Sequence, residues 1–271
     1  MVRSSYRVQF TGGAGYELTG IIDRPDEQPA APAVVFSHCF TCSKDLKAIA
    51  RISRGLADCG IAVLRYDMTG LGNSQGDFSQ TNFSTNLADL TAAVEYARTH
   101  FDGAISLLGH SFGGAVSMAY AGSPQGQMQV PALITLAAPS DTHHLASLLA
   151  KMDPSIETSG SGTVTIGGMP WEIKRQMLDD FRRHELTASI PNIRAATLLL
   201  HSPIDQTLSY DHALRIMRLI QESPYTETPV SLLTLPDADH LLANNPADIE
   251  FVVEIVAAFI RRHQADVRSV P

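Results

Sequence analysis

Short apolar runs rich in β-branched residues recur along the chain, separated by loops and by segments with helical spacing. These runs begin near residues 33, 61, 105, 132, 197 and 230. Continuous apolar runs of this length are typical of strands buried on both faces of a parallel sheet. Helical patterns occupy 46–59, 84–100, 111–121, 209–221 and 246–263. This alternation predicts an α/β protein with a doubly wound, mostly parallel sheet.

The beginning of the chain follows a different pattern. Residues 6–22 alternate roughly between apolar and polar side chains around a glycine-rich turn at 12–15. Alternation on both sides of such a turn indicates an antiparallel hairpin. We therefore expect this hairpin to precede the parallel core.

The rhythm of strands and helices is interrupted once. More than fifty residues separate the run that ends near Ala138 from the one that starts near Ala195. They contain a polar, glycine-rich stretch at 157–168 and a helix-like stretch at 171–184. We predict that 141–190 is a small inserted cap over the carboxyl edge of the sheet, and that 1–140 and 191–271 form the core.

Charge and composition narrow the classes of partner. The net charge is −8, and Lys and Arg form no cluster, which argues against nucleic acid and anionic membranes. We find no apolar segment long enough to span a bilayer and no signal-peptide pattern. Three sparse cysteines make a disulfide framework unexpected, so we expect a reduced, cytoplasmic protein. The sequence carries no signal for an oligomeric state.

A nucleophile-elbow pattern follows the third of the apolar runs. Residues 107–114 read as strand, then G-x-S-x-G, then helix, with Ser111 at the centre. The flanking Gly109 and Gly113 allow the strand and the helix to approach closely. Ser111 would then lie at a helix N-terminus, where backbone N–H groups favour developing negative charge. The alternative interpretation is a chance Gly-Ser-Gly turn.

A catalytic serine needs a base, and the base needs an acid that orients it. His240 follows the last predicted strand, at the edge where a loop can return to the elbow. The weaker candidates for the base are His110, His143, His144 and His201. For the acid, position favours Asp205 after the preceding strand, with Asp141 after an earlier strand as the rival.

The motifs GHSFGG, HSPIDQTLS and DADHLL, in this order and spacing, resemble those of the α/β-hydrolase superfamily. The further motifs HCFTCSKDLKA, RYDMTGLGNSQGDF, IGGMPW and LDDF resemble the hydrolase half of bacterial proteins that fuse an α/β hydrolase to an OsmC-type domain. They are also similar to the serine-aminopeptidase-like group with cinnamoyl and feruloyl esterases. The resemblance implies an α/β-hydrolase fold. The chain ends at Pro271 without an OsmC-type segment, so we expect no peroxide chemistry.

The resemblance also gives a role to the loop that contains Cys39 and Cys42. In related hydrolases this loop supplies one oxyanion donor, which would be the Phe40 amide here, and the other would be the Phe112 amide. Cys39 stands where many hydrolases have glycine. A thiol-redox enzyme is the alternative for a C-x-x-C pair, but the surrounding elbow argues against it. A milder hypothesis is that oxidation distorts the loop and switches activity off.

These features predict a serine hydrolase that cleaves carboxylic esters of small molecules, with Ser111, Asp205 and His240 as the triad. No metal or organic cofactor is expected. Trp171, Met169 and Cys39 are candidates for lining a pocket for a short or medium acyl chain or an aryl group. The segment from Asp67 to Ser74 is expected to brace a loop near the site. Alternatives are a peptidase of the same fold and a non-catalytic binding protein.

Overall fold

The computed structural model describes residues 2–26, 31–225 and 227–264. The strands are β1 (Arg3–Thr11), β2 (Glu17–Pro25), β3 (Ala33–Ser37), β4 (Ala62–Tyr66), β5 (Ile105–His110), β6 (Ala132–Leu136), β7 (Ser161–Ile166), β8 (Met169–Lys174), β9 (Ala196–His201) and β10 (Val230–Thr234). The helices are α1 (Lys47–Asp58), α2 (Phe83–His100), α3 (Phe112–Ala121), α4 (Pro124–Gln127), α5 (His143–Met152), α6 (Ser155–Thr158), α7 (Arg175–Arg183), α8 (Leu186–Ser189), α9 (Asp211–Gln221) and α10 (Pro246–His263). Short 3-10 helices span Phe78–Gln80 and Ile190–Asn192.

The main sheet has eight strands in the order β1-β2-β4-β3-β5-β6-β9-β10. β1 and β2 pair antiparallel, and β2 pairs antiparallel with β4, whereas all pairs from β4 to β10 are parallel. The predicted sheet and the predicted N-terminal hairpin are therefore both confirmed.

Successive residues of the parallel strands enter two different cores. Val35, Leu107 and Leu133 pack with α2, α3 and α9, whereas the adjacent Val34 and Leu108 pack with α1 and α10. Side chains alternate across a strand, so a continuous apolar run serves both faces of the sheet. This explains why the strands lack polar alternation.

The strand order places the switch point of the sheet between β3 and β5. The chain passes from β3 outward to β4 and then returns across β3 to form β5. The loops after β3 and β5 therefore diverge at the carboxyl edge, which is where ligands bind in open α/β sheets. Within the described ranges, we find no helix that combines the length and apolar character needed to cross a membrane.

The inserted segment between β6 and β9 differs from the prediction in one respect. The stretch predicted as helix from 171 begins as strand β8, which pairs with β7 in a two-stranded hairpin, and helix starts only at Arg175. Gly167 and Gly168 both have positive φ, at 60° and 79°, which suits a tight hairpin turn. The turn pairs Ile166 with Met169 and so fixes the register. The end of the predicted core, 265–271, lies outside the described residues.

Candidate active site

Ser111 lies at the sharp turn between β5 and α3. Its backbone has φ 53° and ψ −120°, a conformation that L-residues rarely adopt. A Cβ atom on Gly109 would overlap the Gly113 carbonyl oxygen, so glycine is required there. The Ser111 N–H donates to the Leu136 carbonyl oxygen at 2.8 Å. The strained turn is thus held by the neighbouring strand and presents the hydroxyl above the sheet.

A continuous chain of hydrogen bonds joins Ser111, His240 and Asp205. The Ser111 Oγ lies 3.0 Å from His240 Nε2. On the other side of the ring, His240 Nδ1 lies 2.7 Å from Asp205 Oδ2. The structure thus brings together the three residues that the sequence predicts as nucleophile, base and acid.

Asp205 is buried and fixed by the backbone. Its Oδ1 accepts hydrogen bonds from the Thr207 N–H at 2.8 Å and the Leu208 N–H at 3.0 Å. Burial acts to raise the pKa of Asp205, but the hydrogen bonds from His240 and these amides outweigh it, and the pKa is lowered. The carboxylate therefore stays ionised beside the imidazole.

The rival acid, Asp141, has other partners. Its carboxylate pairs with Arg215 at 3.2 Å and accepts a hydrogen bond from the His144 N–H at 3.2 Å. The imidazole of His144, whose Nδ1 lies 3.4 Å from Asp141 Oδ1, is the main reason that the pKa of Asp141 lies well below its ordinary value, and the His144 N–H adds to this. The geometry thus favours Asp205 over Asp141 as the partner of His240.

The two predicted oxyanion donors lie on adjacent loops at the switch point. The Phe112 amide opens α3, and the Phe40 amide lies within a turn in which the Cys42 N–H donates to the Cys39 carbonyl oxygen at 3.2 Å. The Phe40 and Phe112 rings are in contact, with centroids 5.5 Å apart. Neither amide hydrogen has an acceptor within the described part of the chain.

Cys39 and Cys42 form a disulfide, which corrects the expectation of reduced thiols. Counting cysteines tests for a framework that cross-links distant parts of a chain. A bridge between residues three positions apart, with Cα atoms 5.3 Å apart, links the two ends of one turn and requires no such framework. Cys59 is the free cysteine and is half-buried against α10.

Two buried groups anchor the ends of this turn. His38 donates from Nδ1 to the Cys39 carbonyl oxygen at 2.8 Å and accepts the Met68 N–H at Nε2 at 3.2 Å, which fixes the neutral tautomer. Asp67 accepts the Lys44 N–H at 2.7 Å and the Lys44 Nζ at 2.9 Å. The segment from Asp67 to Ser74 thus contacts the loop that contains Cys39 and Cys42, as we expected.

Two further buried histidines hold the loops of the acid and the base. His110 Nε2 lies 2.8 Å from the main-chain oxygen of His240, and His201 Nε2 lies 2.9 Å from that of Leu208. Burial lowers the pKa of both rings, that of His110 to about 3. These rings are therefore neutral donors to the backbone, and they do not act as the base.

A cavity of about 900 Å³ opens beside Ser111 and His240. Cys39, Trp171 and Met169 all line it, and Met169 lies at its exposed rim. Helix α5 and the β7–β8 hairpin add apolar side chains to the lining: Leu145, Leu148, Leu149, Met152 and Ile166. Among the described residues, no group of three or more His, Cys, Asp or Glu side chains is placed to hold a metal ion.

The leucines of α5 escaped the sequence analysis. The pattern at 145–149 resembles any amphipathic helix, and only the packing of α5 against α7 turns part of it toward the cavity. Lys44 was also missed, because a charged residue in a loop normally faces solvent. Two sequence features are associated with Lys44. It follows the C-x-x-C segment by two positions, and its partner in the fold, Asp67, is the aspartate of the RYDMTG motif.

Comparisons with known proteins agree with this fold. A family model described as serine aminopeptidase, S33, matches residues 28–161. The esterase domain of a Rhodothermus marinus protein is 36% identical over 96% of this chain and 99% of its own, with a TM-score of 0.72. Est1E from Butyrivibrio proteoclasticus, solved with ferulic acid, is 22% identical over 96% of this chain and 100% of its own, with a TM-score of 0.77.

A fungal protein shares the fold as well. The α/β hydrolase GrgF from Penicillium sp. sh18 is 20% identical over 98% of this chain and 100% of its own, with a TM-score of 0.75. No curated protein sequence matches the chain. The likeness to the Rhodothermus domain runs through both chains almost from end to end, and on that ground this chain belongs to the α/β-hydrolase superfamily, within the group of S33-like hydrolases and esterases.

Proposed function

We propose that the protein is a serine hydrolase that cleaves carboxylic esters through an acyl-enzyme. The observation that carries this proposal is the hydrogen-bonded chain from Ser111 Oγ through His240 to Asp205, at 3.0 and 2.7 Å. Nucleophile and base within hydrogen-bonding distance, with the base oriented by a third group, is the arrangement that activates a serine.

In the proposed mechanism, His240 accepts the Ser111 proton as the hydroxyl oxygen attacks the ester carbonyl. Asp205 keeps Nδ1 protonated, so Nε2 is free to act as the base. The Phe40 and Phe112 amides stabilise the tetrahedral oxyanion, and removing one such donor typically costs about 3 kcal/mol of transition-state stabilisation. His240 then protonates the leaving alcohol, and water cleaves the acyl-enzyme by the same path.

The cavity lining supports a small apolar acyl or aryl group. Leu145, Leu149 and Trp171 offer no charge to a substrate. The edge of Trp171 meets the ring of Phe78 at a centroid distance of 4.9 Å. We infer that the apolar part of the substrate lies between α5 and the β7–β8 hairpin, and that residues 141–190 act as a cap that shapes this pocket.

Esters are favoured over peptides by the charges around the cavity. An aminopeptidase needs a carboxylate to bind the substrate's amino group. Both carboxylates that line this cavity, Asp45 and Asp141, are already paired with cations. Asp45 contacts Lys44 and Arg65 at 2.8 and 3.0 Å.

The test is an assay of p-nitrophenyl esters of increasing acyl length beside the matching p-nitroanilides, for wild type and Ser111→Ala. We expect ester turnover in the wild type alone and a preference for short or medium chains. Faster cleavage of the anilides would establish the peptidase alternative. Absence of any Ser111-dependent turnover would favour a non-catalytic binding protein.

A further inference from the structure

The donor amide of Phe40 lies inside the ring that the Cys39–Cys42 disulfide closes. The bridge spans the two ends of a four-residue turn, and Phe40 is the second residue of that turn. A change at either sulfur therefore acts on the peptide plane that carries the predicted oxyanion donor. Resting on the proposed hydrolase function, we propose that Cys39 and Cys42 are positioning residues whose disulfide holds this amide in place, so that reduction lowers kcat.

The turn depends on the bridge because its interior has few other constraints. Asp67 fixes the Lys44 amide after the turn. His38 holds the Cys39 carbonyl oxygen, which gives the peptide plane of the Phe40 N–H one anchor outside the turn. Among the described residues, two further hydrogen bonds hold the turn: the Cys42 N–H donates to the Cys39 carbonyl oxygen, and the Thr41 hydroxyl donates to the Phe40 carbonyl oxygen. The Phe40 ring also packs against Phe78, Phe112 and Phe181, which constrains the side chain rather than the peptide plane that carries the amide. The disulfide is the one covalent constraint on the segment.

The strained backbone of Thr41 favours a change in the conformation of the turn once the bridge opens. Its φ is 58°, in the left-handed region that a β-branched residue strongly disfavours. With the sulfurs joined, Thr41 is confined there. With the bridge open, Thr41 can return to negative φ, which displaces Cys42 and breaks the hydrogen bond from the Cys42 N–H to the Cys39 carbonyl oxygen. That oxygen belongs to the same peptide plane as the Phe40 N–H, so the plane then keeps only the His38 hydrogen bond and is held less firmly in its present direction.

The oxidised form has the geometry expected of the active state. Ser111, His240 and Asp205 remain hydrogen-bonded while the disulfide is present. The hypothesis drawn from the sequence is that oxidation switches activity off, whereas here the oxidised form is the active one and reduction lowers activity. The bridge preorganises the oxyanion donor, and reduction removes that preorganisation.

The reductive step needs a thiol, and the cavity provides its path. Cys42 is half-buried and lines the cavity, whereas Cys39 is buried. A small dithiol would attack the Cys42 sulfur as its thiolate and release Cys39 as a thiolate. Its second thiol then displaces Cys42, and the products are two cysteine thiols and the cyclic disulfide of the reductant, a transfer of two electrons and two protons.

The experiment compares oxidised and reduced wild type on the best p-nitrophenyl ester. The oxidised form is prepared with glutathione disulfide and the reduced form with dithiothreitol. Thiol titration in denaturant verifies the states, with one thiol expected for the oxidised chain and three for the reduced chain. Circular dichroism of both forms verifies that the fold is retained.

We expect reduction to lower kcat by about tenfold or more with little change in KM, since losing an oxyanion donor outright costs about 10²–10³ in kcat. Reoxidation should restore the rate. The double variant Cys39→Ser/Cys42→Ser should have the kcat of the reduced enzyme, and dithiothreitol should not change it. Cys59→Ser is the matched control, and its response to reduction should equal that of the wild type.

Equal kcat in verified oxidised and reduced forms would overturn the inference and leave the hydrolase function standing. A rise in kcat on reduction, or three free thiols after oxidation, would overturn it as well. No Ser111-dependent turnover in either form is a different pattern, which overturns the proposed function and the inference together.

Discussion

His110 Nε2 lies 2.8 Å from the main-chain oxygen of His240, so the residue before the proposed nucleophile holds the backbone of the proposed base. The contact joins the end of β5 to the loop after β10 across 130 positions of sequence. The other ring nitrogen, Nδ1, is buried and has no partner among the described residues. A proton added there would be both buried and unpaired, which makes this contact sensitive to acid.

Stability should therefore fall in acid through His110. Burial holds its folded-state pKa at about 3, below the ordinary 6.5, so between these values the unfolded chain binds a proton that the native state does not. The free energy of unfolding then decreases as the pH drops, by about 2 kcal/mol from this group between pH 8 and pH 5. Urea unfolding of wild type and His110→Gln at both pH values measures this.

We expect His110→Gln to be less stable at pH 8 but to lose about 2 kcal/mol less on acidification. His38 and His201, whose pKa values burial also lowers, are present in both proteins and cancel in the comparison. His100→Gln, at the exposed end of α2, controls for the removal of a histidine. Equal losses in wild type and His110→Gln would contradict the assignment.

Asp205→Asn should separate the two candidate acids. We expect kcat on the best ester to fall by about 10³–10⁴, because the amide stabilises the wrong tautomer of His240. Asp141→Asn is the matched control and should keep kcat within about threefold, since Asp141 contacts Arg215 and His144 and not His240. If Asp141→Asn lowers kcat more than Asp205→Asn does, the acid is Asp141, in the loop after β6.

The buried Lys44–Asp67 pair should be important for stability. Both side chains are fully buried at 2.9 Å, so Lys44→Met leaves an uncompensated carboxylate and should cost about 3–5 kcal/mol. Urea unfolding measures the loss. Lys47→Met, on the exposed side of the start of α1, is the control and should change stability by no more than about 0.5 kcal/mol.

A double variant tests the origin of that cost. Lys44→Met with Asp67→Asn removes both charges and should recover part of the loss. If the double variant is no more stable than Lys44→Met alone, the destabilisation comes from lost packing instead of from an unpaired charge.

Trp171 should set the size of the acyl pocket. Trp171→Ala removes the ring that packs against Phe78 and opens space next to the cavity. We expect the preferred acyl chain to lengthen and kcat/KM on the best wild-type ester to fall by about tenfold, since each methylene in such a pocket is worth about 1–3 kcal/mol. The p-nitrophenyl series measures the shift. Trp171→Phe should keep the wild-type preference, and an unchanged profile in Trp171→Ala would place the acyl group elsewhere.

The sheet could be predicted because each parallel strand is a continuous apolar run that serves two cores. The positions of Ser111, Asp205 and His240 could be predicted because the order of strands dictates which loops meet at the carboxyl edge. The strand that begins at Met169 could not be predicted in this way. One tryptophan and one isoleucine in a polar segment fit the spacing of a strand and that of a helix equally well. The turn at Gly167 and Gly168 favours the strand, because it pairs the segment with β7.

The supporting groups were beyond the reach of sequence reasoning for another reason. His38, His110 and His201 each donate to a main-chain carbonyl oxygen. Every residue type carries such an oxygen, so the sequence does not reveal which residue is the acceptor. The disulfide was not predicted because counting cysteines tests for links between distant parts of the chain, and this bridge joins residues only three positions apart.

The spacing of the triad along the chain has a consequence for biosynthesis. Ser111 and His240 lie 129 positions apart, and His240 precedes only α10 among the elements of the fold. A growing polypeptide therefore carries the proposed nucleophile, Ser111, and the turn of Phe40 long before the proposed base is translated. Helix α10 must also pack beside α1, the first helix, to complete the second core. If the proposed mechanism holds, ester cleavage can begin only after the ribosome has delivered almost all of the described fold, so the appearance of turnover would time the folding of this part of the chain during translation.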